Sequence, residues 1–521
     1  MLKQIIKQNW QIFLLLAAIV FLVYANSLAN DFVSDDVAGI LNNEQIGEFK
    51  LGLNFPHNWL WAATYHLFGK NPIPFRIENI LFHLANVWLI FILLLIFIRK
   101  KTASLLIALI FSAHPILTES ITWISGGIYV QYSFFVLLSF LFYLLTRLEK
   151  IKKHWGIVLS LLFFVLALSF SEKAIIFPGI IFIFELAFGS LKNNWKKIGL
   201  YFLVSLIWFA LIFLRIGERA QGLQENFYTD PGAEQPLARI PVAVSYYGQL
   251  IFWPEKLSLY QTEMFFSPME FLARAVITAL FLAVIIFLFF KIISKKANWF
   301  VRQTFFWLSF FLIALLPTLL AFGLAWIVAE RYVYFGSLGI IIVFVLLWHA
   351  LNEKIFATKK MYWFIGILIV LAIGARTIIR NQDWKNQDTL WIATVKVAPS
   401  GQVIHNNLGD MYGRRKQYDK AIKEFLTAIA INPRYADAMH NLANTYLEIN
   451  NTEQAIYWYN EAIKFGPHLW QSYQNLGMIY YQLGELKKAE ELFARAVEIN
   501  PNNENLRENL EIIRNNRALK L

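Results

Sequence analysis

The stretch NDFVSDDVAGILNN, residues 30–43, places three carboxylates, Asp31, Asp35 and Asp36, directly after the first long apolar run of the chain. Two kinds of chemistry suit an adjacent acid pair. One carboxylate can take the proton from an attacking hydroxyl, or the pair can hold a divalent cation against a phosphate. The plainer alternatives are a solvated loop and a helix N-cap. Other ionisable residues stand at the ends of further apolar runs: Arg76, Glu78, His83, His114, Glu119, Glu172, Lys173, Glu330 and Arg331. Charged groups are costly at the margins of a bilayer, which makes each a candidate for function. His83 on an apolar face reads by default as a packed, hydrogen-bonded histidine. His114-Pro115 with Glu119 also fits a helix end, and Glu330-Arg331 an ion pair at the interface.

The elements that position these residues are membrane helices. Of 521 residues, 58% are hydrophobic and 17% aromatic, and the mean hydropathy of +0.49 is too high for a soluble chain of this size. The formal charge of +12 sits in short Lys/Arg clusters between apolar runs. That placement sets membrane orientation and argues against nucleic acid as a partner. With no cysteine, disulfides, thiolate metal sites and cysteine nucleophiles are excluded.

Apolar runs near 10–28, 75–98, 102–119, 128–146, 155–171, 174–190, 198–214, 271–290, 303–322, 332–350 and 361–378 predict about eleven spanning helices. The basic clusters Lys3–Lys7, Arg99–Lys101, Arg147–Lys153, Lys192–Lys197, Lys291–Arg302 and Lys354–Lys360 fall in alternate gaps, which are therefore cytoplasmic. The N-terminus is then cytoplasmic. A first loop at 29–74, a large loop at 215–270 and everything after 378 face outward. Residues 1–25 also fit a signal peptide, and 239–254 fits either a helix lying at the interface or a twelfth span.

Beyond residue 380 the pattern changes to a repeat. Pro399, Pro433, Pro467 and Pro501 recur every 34 residues, which is tetratricopeptide spacing. Leu408-Gly409, Tyr412, Ala421 and Phe425 return as Leu442-Ala443, Tyr446, Ala455 and Tyr459, then as Leu476-Gly477, Tyr480, Ala489 and Phe493. The small residues let paired helices approach, and the aromatics fill the space between successive pairs. The division predicted is an all-α chain. It has a polytopic membrane domain at 1–380, a half-repeat connector at 381–398, and an α-solenoid of about three repeats plus a capping helix at 399–521.

A mixture of carboxylates and cations at one membrane surface suits a substrate with an anionic head and an apolar tail, such as a lipid-linked phosphosugar. Five segments occur in a familiar order: FHLANVWL (82–89), FSAHPILTESITWISG (111–126), LSFSEKAIIFP (168–178), VAERYVYFGSLG (328–339) and RNQDWKNQDTLWIATVKVAPSGQVIHNNLG (380–409). With them the chain resembles the transmembrane and tetratricopeptide repeat-containing O-mannosyltransferases over nearly its whole length. The resemblance implies a C-type glycosyltransferase fold that takes sugar from a polyprenyl-phosphate donor. It puts the catalytic acids at Asp35 and Asp36, and the VAER pattern at Glu330 and Arg331.

On this reading Asp35 or Asp36 is the base, and Arg331, with Arg76 or Lys173, holds the donor phosphate. Glu330, His114, Glu119 and His83 support the site. The acceptor is a serine or threonine hydroxyl on an extracytoplasmic protein, captured in a groove carrying Asn407, Asn441 and Asn475. No cofactor is required, a divalent metal remains an open alternative, and membrane lipid is the surrounding partner. Two departures weaken the assignment of mannose. The family usually has Ser-Lys-Glu where this chain has Ser171-Glu172-Lys173, and an Arg-Ala-Asp type segment where it reads Gly127-Ile128-Tyr129. The rivals are a non-catalytic membrane scaffold and a transferase acting on lipid or glycan.

Overall fold

The computed structural model describes the chain except for residues 51–54, 227–235, 262–265, 320–327, 356–358 and 520–521, and the side chains of 213–239 and 353–359. It separates into two compact units, Met1–Leu390 and Trp391–Leu521. Every regular element among the described residues is a helix.

Among the described residues of the first unit eight helices are long and apolar enough to cross a bilayer: Leu2–Ser27, Pro72–Phe97, Gly127–Arg147, Lys153–Phe170, Leu191–Ile212, Pro268–Ile293, Trp299–Leu319 and Lys360–Asp383. A ninth forms if Lys101–Ala113 and Pro115–Thr122, bent by 51° at His114, count as one span. The unit is thus a multi-pass membrane protein. The expectation of about eleven differs because hydropathy counts apolar residues and not unbroken helix. Phe177–Phe188 has 12 residues, about 18 Å of helix against a hydrocarbon core of about 30 Å. The apolar part of the helix beginning at Ser337 ends at Asn352. The ambiguous segment is a 17-residue helix, Pro236–Phe252, also short of a crossing, and one of its faces is buried through Val242, Ala243, Tyr246, Tyr247, Leu250 and Ile251.

Local sequence accounts for where these helices start and break. Asn71 accepts the Ile73 N–H at 3.0 Å and Pro72 opens the next helix, because proline has no N–H to lose there. Pro115 removes the donor that would continue Lys101–Ala113, so the chain turns at His114. Extended backbone at Ser171 and at Ala329 ends one helix and precedes a tight turn at Glu172–Ile176 and Glu330–Val333. These breaks carry the ionisable residues.

The second unit stacks helix pairs Gln402–Arg414 with Tyr418–Ile431, Ala436–Glu448 with Thr452–Phe465, and Trp470–Gln482 with Leu486–Ile499, followed by Glu504–Ala518. Gly409 and Gly477 face the rings of Phe425 and Phe493, where a Cβ would come within 2.5 Å and 2.8 Å. Glycine is the residue that fits at that approach. Phe425, Tyr459 and Phe493 are buried. Helix Gln387–Val397 crosses the boundary between the two units.

Candidate active site

The chain leaves its first helix at Tyr24 and reaches the acid pair through a turn in which Ser34 has φ +53°. That left-handed conformation is uncommon for a side-chain-bearing residue and must be held by its surroundings. Three elements hold it. From Pro72–Phe97, the fully buried Arg76 guanidinium donates to Asn30 O (2.8 Å), Asp31 O (3.0 Å) and Thr122 O (2.8 Å). From the bent segment, Trp123 Nε1 donates to Val33 O at 3.2 Å. From the end of Lys360–Asp383 and beyond, Gln387 Oε1 accepts the Ser34 N–H at 3.2 Å, and Lys385 O accepts the Asp31 N–H at 2.8 Å.

This bracing sends the two acids opposite ways. Asp36 is buried; its Oδ1 accepts from Ser125 N (2.8 Å) and Ser125 Oγ (2.5 Å), and its Oδ2 from Val33 N (3.3 Å). Burial pushes its carboxyl up to about 6, against the pull of the Ser125 donors and Arg76. Asp35 is exposed, with Ser34 Oγ 3.5 Å from its Oδ1. Among the described residues no three His, Asp or Glu side chains come together as a metal-binding group.

A second cluster gathers at the other two breaks. Glu119, fully buried, accepts from Arg331 N at 2.8 Å and from the Arg331 guanidinium. Burial works against the Arg331 charge, yet the Glu119 carboxylate with the Tyr332 and Tyr129 hydroxyls together hold the guanidinium well above its usual range. Arg331 lies 5.4 Å from the Trp123 ring and 5.0 Å from that of Tyr332. Lys173 Nζ approaches the same Tyr332 ring at 5.9 Å and Tyr129 at 5.1 Å. Two cations therefore flank one aromatic patch, each partly exposed, at 12% for Arg331 and 16% for Lys173. Such a patch suits an anion that must be bound and then released. Trp123 joins the two clusters, its Nε1 on Val33 O and its ring beside Arg331, and the Tyr260 hydroxyl bonds Ser34 in the same turn.

The other residues singled out from sequence lie elsewhere. Arg76 braces the loop, its donors committed to carbonyls. Glu330 is buried against Arg380, 3.0 Å away, which also binds Asp383 at 2.9 Å. His83 is a core histidine, with Nδ1 2.8 Å from Tyr334 Oη. His114 Nε2 meets Ile251 O at 2.9 Å and so ties the bend to Pro236–Phe252. In the repeat unit Asn441 donates to Asn406 (3.0 Å) and Asn475 to Asn444 (2.9 Å), linking successive repeats. Asn407 bonds within its own helix, to Val403 O at 2.7 Å. Sequence reasoning missed Ser125, Gln387 and Tyr260. Ser125 and Gln387 lay inside quoted motifs; Tyr260 sits in a segment without a motif or period.

Comparison with known proteins follows this division. Two tetratricopeptide repeat families match residues 402–466 and 470–503. Protein O-mannosyl-transferase TMTC3 of Mus musculus is 25% identical over 481 residues, 82% of this chain and 51% of the relative. Protein O-mannosyl-transferase TMTC4 of Mus musculus is 25% identical over 479 residues, covering 78% and 64%. Tmtc1 of Drosophila melanogaster, also a protein O-mannosyl-transferase, is 22% identical over 542 residues, covering 81% and 62%. The chain spans about half the length of its TMTC3 relatives. It is a distant relative of these proteins, with a multi-pass membrane unit followed by tetratricopeptide repeats.

Proposed function

We propose that this chain is a membrane glycosyltransferase that moves a monosaccharide, mannose by analogy with its relatives, from a polyprenyl phosphate to a serine or threonine hydroxyl of an extracytoplasmic protein. The observation that carries the reading is the braced turn that exposes Asp35 while its neighbour is buried, with Trp123 linking it to the Arg331–Lys173 patch. Asp35 takes the proton from the acceptor hydroxyl as its oxygen attacks the anomeric carbon. The bond from that carbon to the lipid phosphate breaks, and the departing phosphate gains charge. Arg331 and Lys173 stabilise that charge, strongly so where water is partly excluded.

Asp36, Ser125 and Arg76 build the turn that aims Asp35, and the buried Glu330–Arg380 pair sets the position of Arg331. An apolar cavity of about 690 Å3 beside Pro236–Phe252 supports a lipid-borne donor. Its walls include Phe252, Ile277, Phe311, Val343 and Leu347, with Arg274 among them. That size is in the range of small-molecule sites. The helix beside it also contacts the site turn, through Tyr247 Oη and Ala329 N at 3.1 Å. In this reading the N-terminus is cytoplasmic, the site faces outward, and the repeats raise the local concentration of an extended acceptor.

The test is purified full-length protein given a panel of labelled polyprenyl-phosphate monosaccharides, with and without Ser/Thr-rich peptides. Release of lipid phosphate from one donor, increased by peptide, is the expected result. Folded protein that turns over no donor with peptide, lipid or glycan acceptors would favour a scaffold.

A further inference from the structure

At the membrane face opposite the acid pair, a buried carboxylate gathers cations that the transfer reaction does not use. Helix Gly127–Arg147 begins beside Ser125, which holds Asp36, and runs about 30 Å to Arg147 at its far end. There Glu185, buried near the end of Phe177–Phe188, accepts from Tyr143 Oη at 2.7 Å and pairs with Arg147 Nε at 2.6 Å. Its second oxygen accepts from Ser190 N at 3.1 Å and Asn194 Nδ2 at 2.9 Å. Asn194 Oδ1 in turn accepts from Lys197 Nζ at 2.7 Å. One carboxylate thus anchors two cations. Gly156 packs against the Thr146 hydroxyl, which brings Lys153, the first residue of its helix, beside the Arg147 end. Even with the exposed Glu149 in the connecting turn, cations outnumber carboxylates here.

Beside these cations the surface turns apolar. Trp155 and Trp195, each two residues from Lys153 or Lys197, are 58% and 62% exposed, and exposed tryptophan next to lysine marks the headgroup level of a bilayer. Tyr201 Oη donates to Ser160 Oγ at 2.7 Å and holds helices Lys153–Phe170 and Leu191–Ile212 together. Exposed Leu200 and Ile207 share a stripe three and ten residues beyond Lys197, and exposed Val158 and Val165 stand on the neighbouring helix. We propose that Arg147, Lys153 and Lys197 bind the phosphate of one anionic phospholipid, whose acyl chains lie along these two helices. Glu185 engages Arg147 through Nε, which leaves the terminal nitrogens of a side chain that is 30% exposed for a phosphate. The apolar stripes favour a lipid over free phosphate, because burial of its chains adds to the attraction of charge.

The experiment gives purified full-length protein in detergent phosphatidylglycerol, phosphatidylcholine with the same chains, or inorganic phosphate, and counts bound lipid by native mass spectrometry beside thermal melting. Phosphatidylglycerol should bind saturably, at about one tight lipid per chain, and raise the melting temperature, whereas the other two should do neither. In the double variant Lys153→Gln/Lys197→Gln its affinity should fall about ten-fold or more, on the scale of two basic residues removed from an anionic headgroup. Lys3→Gln/Lys7→Gln, which removes the same charge elsewhere, should keep the wild-type affinity. Counting bound lipid at one fixed temperature keeps the comparison valid even for a variant that melts lower. Equal binding of phosphatidylcholine overturns the proposal, and so does an equal loss in both double variants. Stabilisation by inorganic phosphate alone would reduce the site to one for a free anion and overturn the lipid. Donor cleavage takes no part in these readouts, so the outcome stands apart from the transferase reading.

Discussion

The two units obtain their order in opposite ways. In Trp391–Leu521 each helix packs against its neighbour in sequence, so that Gly409 meets Phe425 and Gly477 meets Phe493 within one repeat. In Met1–Leu390 the decisive partners lie far apart along the chain. Glu119 and Arg331 are separated by 212 residues, and Asn381 reaches Val23 O across 358. Damage to the array should therefore remain local, whereas loss of one long-range polar partner in the membrane unit should reach the site.

The largest effect expected from that contrast is at Glu119. Glu119→Ala leaves the mostly buried Arg331 guanidinium without its carboxylate, at a cost of about 3–5 kcal/mol. Both thermal stability and turnover should fall, as measured by melting in detergent and by donor cleavage. Next comes Gly409→Val, which forces a side chain into the Phe425 ring and should cost about 1–3 kcal/mol. Its effect should appear in the unfolding of the repeats by hydrogen exchange, with donor cleavage on a short peptide retained. Loss of that cleavage would break the comparison.

The third prediction concerns pH. Burial raises the Asp36 carboxyl to about 6, above the ordinary value of about 3.9. The folded chain therefore keeps a proton that the unfolded chain releases. Stability from this group is full below pH of about 4 and is lost as pH rises through about 6. Asp36→Asn should flatten that part of the stability profile, which melting across pH 4–7 would show. Smallest of all is Asn475→Ala. It removes an inter-repeat bond to Asn444 from a half-buried position. Acceptor KM should rise a few-fold, consistent with about 1 kcal/mol, with kcat and donor KM unchanged.

The same contrast explains what could be read from sequence. The 34-residue period carried the array, down to the roles of Gly409, Ala421 and Phe425, because its contacts are local and repeat. In the membrane unit, composition gave the multi-pass helical class, and charge at helix ends flagged Asp35, Asp36, Glu119, Lys173 and Arg331. It did not reveal that Asp35 and Asp36 point apart, since that depends on Ser125, Trp123 and Gln387 from distant segments. Nor did it distinguish Arg76, whose donors are spent on carbonyls, from Arg331, which stays partly open. Hydropathy did not settle the number of spans, because the apolar runs at 174–190 and 332–350 fall on helices short of a crossing among the described residues.

The central claim is that Asp35 does the chemistry and Asp36 builds the turn that presents it. The direct measurement is initial-rate donor cleavage beside thermal melting for Asp35→Asn and Asp36→Asn in purified full-length protein. Asp35→Asn should lose about 100-fold or more in kcat, the scale of a general base, with its melting temperature unchanged because the side chain is exposed. Asp36→Asn should change stability first, since an amide placed between Ser125 and Val33 sets an N–H against a donor. It should retain measurable turnover. An Asp35→Asn protein that cleaves donor at the wild-type rate would contradict the account.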